Sequence, residues 1–216
     1  MSPHQALSAT DTETEIKLWV PDLSPIEARL REAGARLTQE RSHEFNLRFD
    51  HPELHLLDRR AVLRLRKDQV NTLTYKDDAR IQEGIISRYE LETEVASFEI
   101  TSQLLQKLGF FISDRYEKYR TAFQLDQTEI VLDELPFGNF VEIEGLHDDI
   151  KKAIGRLELS QATPVNCSYL HLFHLSRLWL ERERNIHLEE FSFQGFAGIT
   201  LPIEQLLQND QERPLE

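Results

Sequence analysis

The 216-residue chain has one cysteine, Cys167, and only eight glycines and eight prolines. A lone cysteine cannot close an internal disulfide, so the fold is expected to stand on a packed core in a reducing, cytoplasmic compartment. No apolar run approaches the roughly 18 residues of a membrane span. The opening MSPHQALSAT has neither a basic region nor an apolar region, so no secretion signal is expected. Basic residues are in deficit as well, with 25 Lys and Arg against 38 Asp and Glu and a formal net charge of −13. That balance argues against non-specific binding to nucleic acid or anionic membranes, while leaving room for a local basic pocket. Internal repeats and low-complexity tracts are missing too. What is present, 40% hydrophobic and 29% charged residues, suits one ordered domain with or without an appendage.

Periodicity divides the chain. In PDLSPIEARLREAGARL, Ser24 reads as an N-cap, Pro25 as the first helical residue and Glu27 as the third member of a capping box, with Gly34 as the stop. SFEITSQLLQKLG, 97–109, reads as a second helix closed by Gly109. Further helices are expected at 147–158 and from about 168 in SYLHLFHLSRLWLERERN. Between them the period falls to two. TETEIKLW, ARLTQERSHEFNLRFD, AVLRLRKD, NTLTYKDD, SRYELETEV, RYEKYRTAFQL, TEIVLDEL and GNFVEIEG all alternate, giving about eight strands. Residues 1–11 are expected to be a flexible N-terminus, 12–185 the folded domain with its terminal helix, and 186–216 an extension with no assigned structure.

The polar faces of these strands are unusual. Glu13, Glu15 and Lys17 share one face; so do Arg64 with Arg66, Glu90 with Glu92, Lys118 with Arg120, and Glu142 with Glu144. Lys76 and Asp133 add single charges on two further strands. A solvated face normally mixes signs and includes Thr, Ser and Gln, whereas these faces are largely segregated by sign. Eight strands suffice to close a barrel, and helices covering its apolar outside would turn the charged faces inward. A charged interior is costly unless compensated. Paired glutamates are hard oxygen donors for Mg²⁺ or Mn²⁺, and clustered Arg and Lys suit phosphoryl oxygens. A metal–polyphosphate complex answers both needs.

Other candidates have simpler readings. Cys167, His171 and His174 are spaced like metal ligands, but Leu170, Leu172 and Phe173 interleave them, which fits a helix packed on the domain. His51 and His55 fall in a turn-like HPELH segment with a surface role. RLRK is too short a basic run for nucleic-acid binding in so acidic a chain, and LERERN reads as a solvated helix face.

The ordered set ETEIK at 13–17, RLRK at 64–67, TYK at 74–76, ELE at 90–92, KYRTAF at 118–123, LDELPFGNFVEIEG at 132–145 and NCSYLHL at 166–172 resembles the CYTH superfamily, the triphosphate tunnel metalloenzymes. FNLRFD at 45–50 resembles that family's second strand, with Arg48 where an aromatic is usual. The resemblance implies a mainly β, α+β fold: a closed eight-stranded antiparallel barrel, the triphosphate tunnel, with helices packed on the outside. It implies that Glu13 and Glu15, facing Glu142 and Glu144 across the lumen, hold Mg²⁺ or Mn²⁺. Lys17, Arg64, Arg66, Lys76, Lys118 and Arg120 would bind phosphoryl oxygens, while Glu90, Glu92 and Asp133, with Lys17, would serve the chemistry. The implied partner is a small-molecule triphosphate, with no nucleic acid and no membrane, and the protein a monomer or homodimer. The activity expected is metal-dependent hydrolysis of tripolyphosphate or a related organic triphosphate. The alternatives are a class IV adenylate cyclase and a polyphosphate-binding module without turnover.

Overall fold

The computed structural model describes residues 12–52, 56, 58, 59, 61–188 and 191–211. The expected flexible stretch at 1–11 and His55 lie outside them. Eight strands form the body: β1 (Thr12–Val20), β2 (Arg36–Asp50), β3 (Val62–Lys67), β4 (Asn71–Gln82), β5 (Ile85–Glu94), β6 (Phe111–Leu125), β7 (Thr128–Leu135) and β8 (Gly138–Glu144). A two-residue β9 (Thr163–Pro164) follows. The helices are α1 (Ser24–Glu32), α2 (Phe98–Lys107), α3 (His147–Arg156), α4 (Tyr169–Arg184) and α5 (Ile203–Gln211).

All eight long strands pair antiparallel in the order β5-β4-β3-β2-β6-β7-β8-β1. The pairing of β1 with β5, Thr12 to Tyr89 through Glu15 to Ile86, closes the ring. Beyond Glu15, β1 leaves β5 and pairs instead with β9 at Leu18 and Trp19. The ring is not an even barrel. Register shifts interrupt the β2–β6 ladder at three places and the β4–β5 ladder between Asp77 and Arg80, and each extra residue bends its strand.

Apolar residues on the outer face fix the first three helices. Ile16, Leu18, Ile130, Leu132, Val141 and Ile143 pack with Ile26 and Leu30 of α1, Ile150 and Ala153 of α3 and Leu157 at its C-cap. Leu47, Phe49 and Leu65 pack with Phe98 and Leu105 of α2. Burying such side chains contributes roughly 1.5–3 kcal/mol each, which is what holds helices of this length to a sheet. Gly34 (φ +77°) and Gly109 (φ +98°) end α1 and α2 in the left-handed region, as expected. Ser97 and Ser168 cap α2 and α4 by accepting the N–H of Ile100 and of His171. The α1 start differs from expectation: Leu23 is the cap residue, and the Asp22 carboxylate accepts both the N–H and the hydroxyl of Ser24. With its hydroxyl committed to Asp22, two residues earlier, Ser24 makes no cap bond and stands as the first residue of the helix.

The last two helices do something else. Phe140 on β8 and Tyr116 on β6 lie on inner faces, in phase with Glu142 and Lys118. They join Tyr169, Phe173 and Leu180 of α4, Phe191 and Phe196 of the segment between α4 and α5, and Leu206 of α5 in one buried cluster. So α4 and the chain after it sit across one end of the ring rather than around it. Among the described residues no helix is long and apolar enough to cross a membrane.

Candidate functional site: a ring lumen lined with paired charges

Register decides which side chains meet inside. On β1, Glu13 lies opposite Arg88 of β5, and Glu15 and Lys17 lie opposite Glu144 and Glu142 of β8. On the other wall, Arg64 and Arg66 of β3 lie opposite Thr74 and Thr72 of β4, which in turn face Glu92 and Glu94 of β5. Lys76 lies opposite Glu90. Lys118 and Arg120 of β6 lie opposite Glu44 and Ser42 of β2, and Arg120 also faces Asp133 of β7. Every residue singled out for metal, phosphate or chemistry therefore shares one interior. One geometric expectation is corrected: the two glutamate pairs do not face each other across the lumen. β1 and β8 are hydrogen-bonded neighbours, so Glu15 stands beside Glu144 and Lys17 beside Glu142.

The charges form two networks. In the first, Lys76 Nζ reaches Glu13 Oε2 and Glu90 Oε2, each at 2.6 Å, while Arg88 Nη2 lies 3.2 Å from Glu15 Oε1. In the second, Asp133 is saturated. Its carboxylate accepts from Lys118 Nζ at 2.9 Å, from Arg120 Nε and Nη2 at 2.8 and 2.6 Å, and from the Tyr169 hydroxyl at 3.0 Å. Glu142 accepts from Lys17 at 3.1 Å and from Arg120 at 2.5 Å. Glu44, fully buried, lies 3.5 Å from Lys118 and 3.6 Å from Arg120. Arg64 and Arg66 approach Glu92 at only 3.9 and 3.6 Å.

These neighbours move the acids in opposite directions. Burial pushes the Glu142 carboxyl up, but the charges of Lys17 and Arg120 outweigh it and hold it well below the usual range. Glu44 behaves alike: burial is overcome by Lys118 and Arg120, and the carboxyl is held at about 2. Glu144 has no cation within ion-pair distance among the described residues. Burial, with the charges of Glu13 and Glu129, lifts it to about 7. Glu90 is lifted as well, by burial and by its hydrogen bond to Glu13, which is lowered in exchange.

Several lumen residues were missed in the sequence. Arg48 and Arg88 are in phase with Asn46 and with Glu90, so strict alternation in HEFNLRFD and ISRYELE was signal enough. Glu44 was visible in the same way. Tyr169 gave no signal, because a tyrosine opening a helix says nothing about a distant aspartate. His171 and His174 lie on α4, whose Leu170, Leu172 and Phe173 are buried in the core, the packed helix expected for that spacing. Among the described residues no group of three or more His, Cys, Asp or Glu is placed to hold a metal as it stands, and His174 of α4 lies 3.5 Å from Asp114.

Two observations bear on what the lumen accommodates. Among the described residues, the buried Nε atoms of Arg48, Arg64, Arg66 and Arg88 and both side-chain polar atoms of Asn46 have no hydrogen-bond partner, although Arg66 Nε lies 3.4 Å from Asp68 Oδ2. Unpartnered buried guanidinium donors are costly and match an oxyanion with several acceptors. Glu144, Glu15, Glu13 and Glu90 supply hard carboxylate oxygens where negative charge is under-compensated, which fits a divalent cation of the Mg²⁺ or Mn²⁺ class. Their present partners, Lys76 and Arg88, would have to yield for an ion to be held.

Solved structures with the same fold were found. A Pyrococcus horikoshii protein is 28% identical with a TM-score of 0.62, covering 75% of this chain and 98% of its own. A Vibrio parahaemolyticus protein, provisionally named an adenylate cyclase, is 17% identical with a TM-score of 0.65, covering 76% of this chain and 98% of its own. A Hippeastrum protein, provisionally named an adenylyl cyclase and described with a dominant triphosphatase activity, is 20% identical with a TM-score of 0.60, covering 75% of this chain and 95% of its own. No curated protein matches the sequence. The family model for the CYTH domain matches residues 11–165, the stretch that builds the ring and its lumen, and the chain belongs to that family.

Proposed function

We propose that the protein is a divalent-metal-dependent triphosphatase that hydrolyses inorganic tripolyphosphate or a related organic triphosphate inside the ring. The observation that carries this is the meeting, in one closed interior, of unpartnered buried arginine donors with under-compensated glutamates. Membership of the CYTH family supports a small triphosphate as ligand and a divalent metal in the site.

In this reading Glu13, Glu15, Glu142 and Glu144 hold Mg²⁺ or Mn²⁺. When bound, the metal draws charge from phosphoryl oxygens and makes water a better nucleophile. Lys17, Arg64, Arg66, Lys76, Lys118 and Arg120, joined by Arg48 and Arg88, bind the phosphoryl oxygens and stabilise charge that builds as the bridging P–O bond breaks. Glu90 and Glu92 orient the attacking water, whose oxygen forms the new P–O bond and whose proton passes to a carboxylate. Asp133 is a positioning residue: its oxygens are taken by Lys118, Arg120 and Tyr169, so it fixes two phosphate-binding cations. The tunnel domain runs over 12–185, with 186–216 as its extension.

The test is incubation with tripolyphosphate, ATP or thiamine triphosphate in Mg²⁺ or Mn²⁺, separating released phosphate from cyclic AMP. Metal-dependent phosphate release is expected. Cyclic AMP as the main product would replace hydrolysis by cyclisation, and tight binding without any product would leave a binding module.

A further inference from the structure

The helices packed on the outside of the ring turn different faces to solvent. The exposed side chains of α3 include Asp148, Lys151, Lys152 and Arg156, and α1 ends in exposed Arg31 and Glu32. Neither helix turns a large apolar side chain outward. The second helix does. Phe98 and Leu105 bury the inner face of α2 against Leu47, Phe49 and Leu65. On the outer face Ile100, Leu104 and Leu108, the last at the C-cap, are 59%, 58% and 72% exposed. Recurring every four residues, they form one continuous row. Single apolar residues scattered over a surface are ordinary, whereas a contiguous row on an otherwise polar surface marks a contact.

The polar residues beside that row are ordered by charge. Glu99, Gln103 and Lys107 recur at the same four-residue interval, so they line one flank, acidic in the first turn and basic in the last. All three are exposed. The Glu99 side chain pairs with Lys67 at 2.9 Å and is still 64% exposed, and Lys107 has no ion pair among the described residues. The order has a consequence for what fits the row. Two copies of α2 laid antiparallel about a two-fold axis at Leu104 bring Leu104 against Leu104 and Ile100 against Leu108. The same operation brings Glu99 of each copy against Lys107 of the other and sets the helix dipoles head to tail. A parallel pairing would set Glu99 against Glu99 and Lys107 against Lys107.

We propose that the outer face of α2 is a self-association surface, through which two copies of this chain pair antiparallel about a two-fold axis at Leu104. The row is apolar where the copies meet, and its charged flank is complementary to itself only in that arrangement. A lipid surface is a poorer match: membrane-binding helices carry Lys and Arg along the polar flank, whereas this one carries Glu99 and Gln103 in a chain of net charge −13. The contact is one helix face, at the small end of the interface scale below about 1,200 Å² in total, so the dimer is weak and depends on concentration. The surface lies outside the ring, so pairing is independent of the chemistry of the lumen.

Sedimentation of the wild type from about 1 µM to about 1 mM tests this. The average mass should rise from that of one chain towards that of two. Leu104→Glu sets a carboxylate against its own copy and should weaken pairing about 10-fold or more, with the melting temperature unchanged. In a Cys167→Ser background, Leu104→Cys should link to itself through a bismaleimide spanning about 8–10 Å, the separation of packed helix axes. Leu178→Cys, equally exposed on α4, should not. A wild type that stays monomeric throughout overturns the pairing, and needs no variant to fold. Pairing that survives Leu104→Glu, or that links through position 178 and not 104, overturns the surface. Binding of the wild type to phosphatidylcholine vesicles in place of self-association would give the row to a lipid surface and overturn the second copy as its occupant.

Discussion

Glu44 and Glu144 are both glutamates on the inner face of one ring, yet one is held at about 2 and the other lifted to about 7. Burial raises both; the difference is company. Glu44 lies among Lys118, Arg120, Arg66 and Arg64, whereas Glu144 lies among Glu13, Glu129 and Glu15. The closed end of the lumen is thus internally neutralised and serves as scaffold. The open end carries negative charge that the protein does not compensate, which is where a cation has most to contribute. A charged interior need not be uniform: in the saturated part the carboxylates fix the cations in place, and in the unsaturated part they leave negative charge for a cation to meet.

The largest effect is expected at the saturated end. Asp133→Ala strips Lys118 and Arg120 of their main partner and leaves buried charge unpaired, which should lower unfolding stability by about 3–5 kcal/mol in denaturant titration. Asp133→Asn, keeping the shape and two acceptor lone pairs, should cost less. At the open end the same kind of change has the opposite sign on stability. Glu144→Gln removes an under-compensated carboxylate, so the metal-free protein should melt about 2–4 °C higher. Its metal-dependent turnover should fall by about 100-fold or more. A variant that loses stability while keeping turnover would reverse the roles of the two ends.

A pH series separates the regions without mutation. Glu90 and Glu144 are raised in the folded protein, so between the ordinary carboxylate range and about 7 the folded state holds more protons than the unfolded one. Stability from these groups is present in mild acid and declines as pH rises towards 7. Glu44 is lowered, so its contribution is present above the ordinary range and is lost only as pH falls towards about 2. The melting temperature of wild type should therefore decline from pH 5 to 8 more steeply than that of Glu144→Gln. Identical slopes would mean that Glu144 is compensated. The smallest effect is expected outside the ring: Arg31→Ala, which breaks an exposed pair with Glu27 on α1, should change stability by no more than about 0.5 kcal/mol and leave turnover unchanged.

The charged faces were legible because alternation is local. Glu13, Glu15 and Lys17 must share a face in any strand that contains them, and Ile16 and Leu18 must take the other. The stops at Gly34 and Gly109 were legible for the same reason, each acting within one turn; the caps at Ser97 and Ser168 act as locally but were not singled out. Ser24 misled because its hydroxyl donates to Asp22, two residues earlier, instead of capping the helix. The placement of the glutamate pairs misled too, since alternation gives a face but no neighbour.

The sequence by itself determined which side chains point inward, because side-chain direction follows from backbone period over a few residues. Only the tertiary structure decided which of them meet. Lys76 finds Glu13 across 63 positions, Arg120 finds Glu142 across 22, and Tyr169 finds Asp133 across 36. Those meetings depend on strand order, register and ring closure, and on the C-terminal segment that sits across one end of the ring. They are set by the packing of the whole chain, so no short window of sequence contains them.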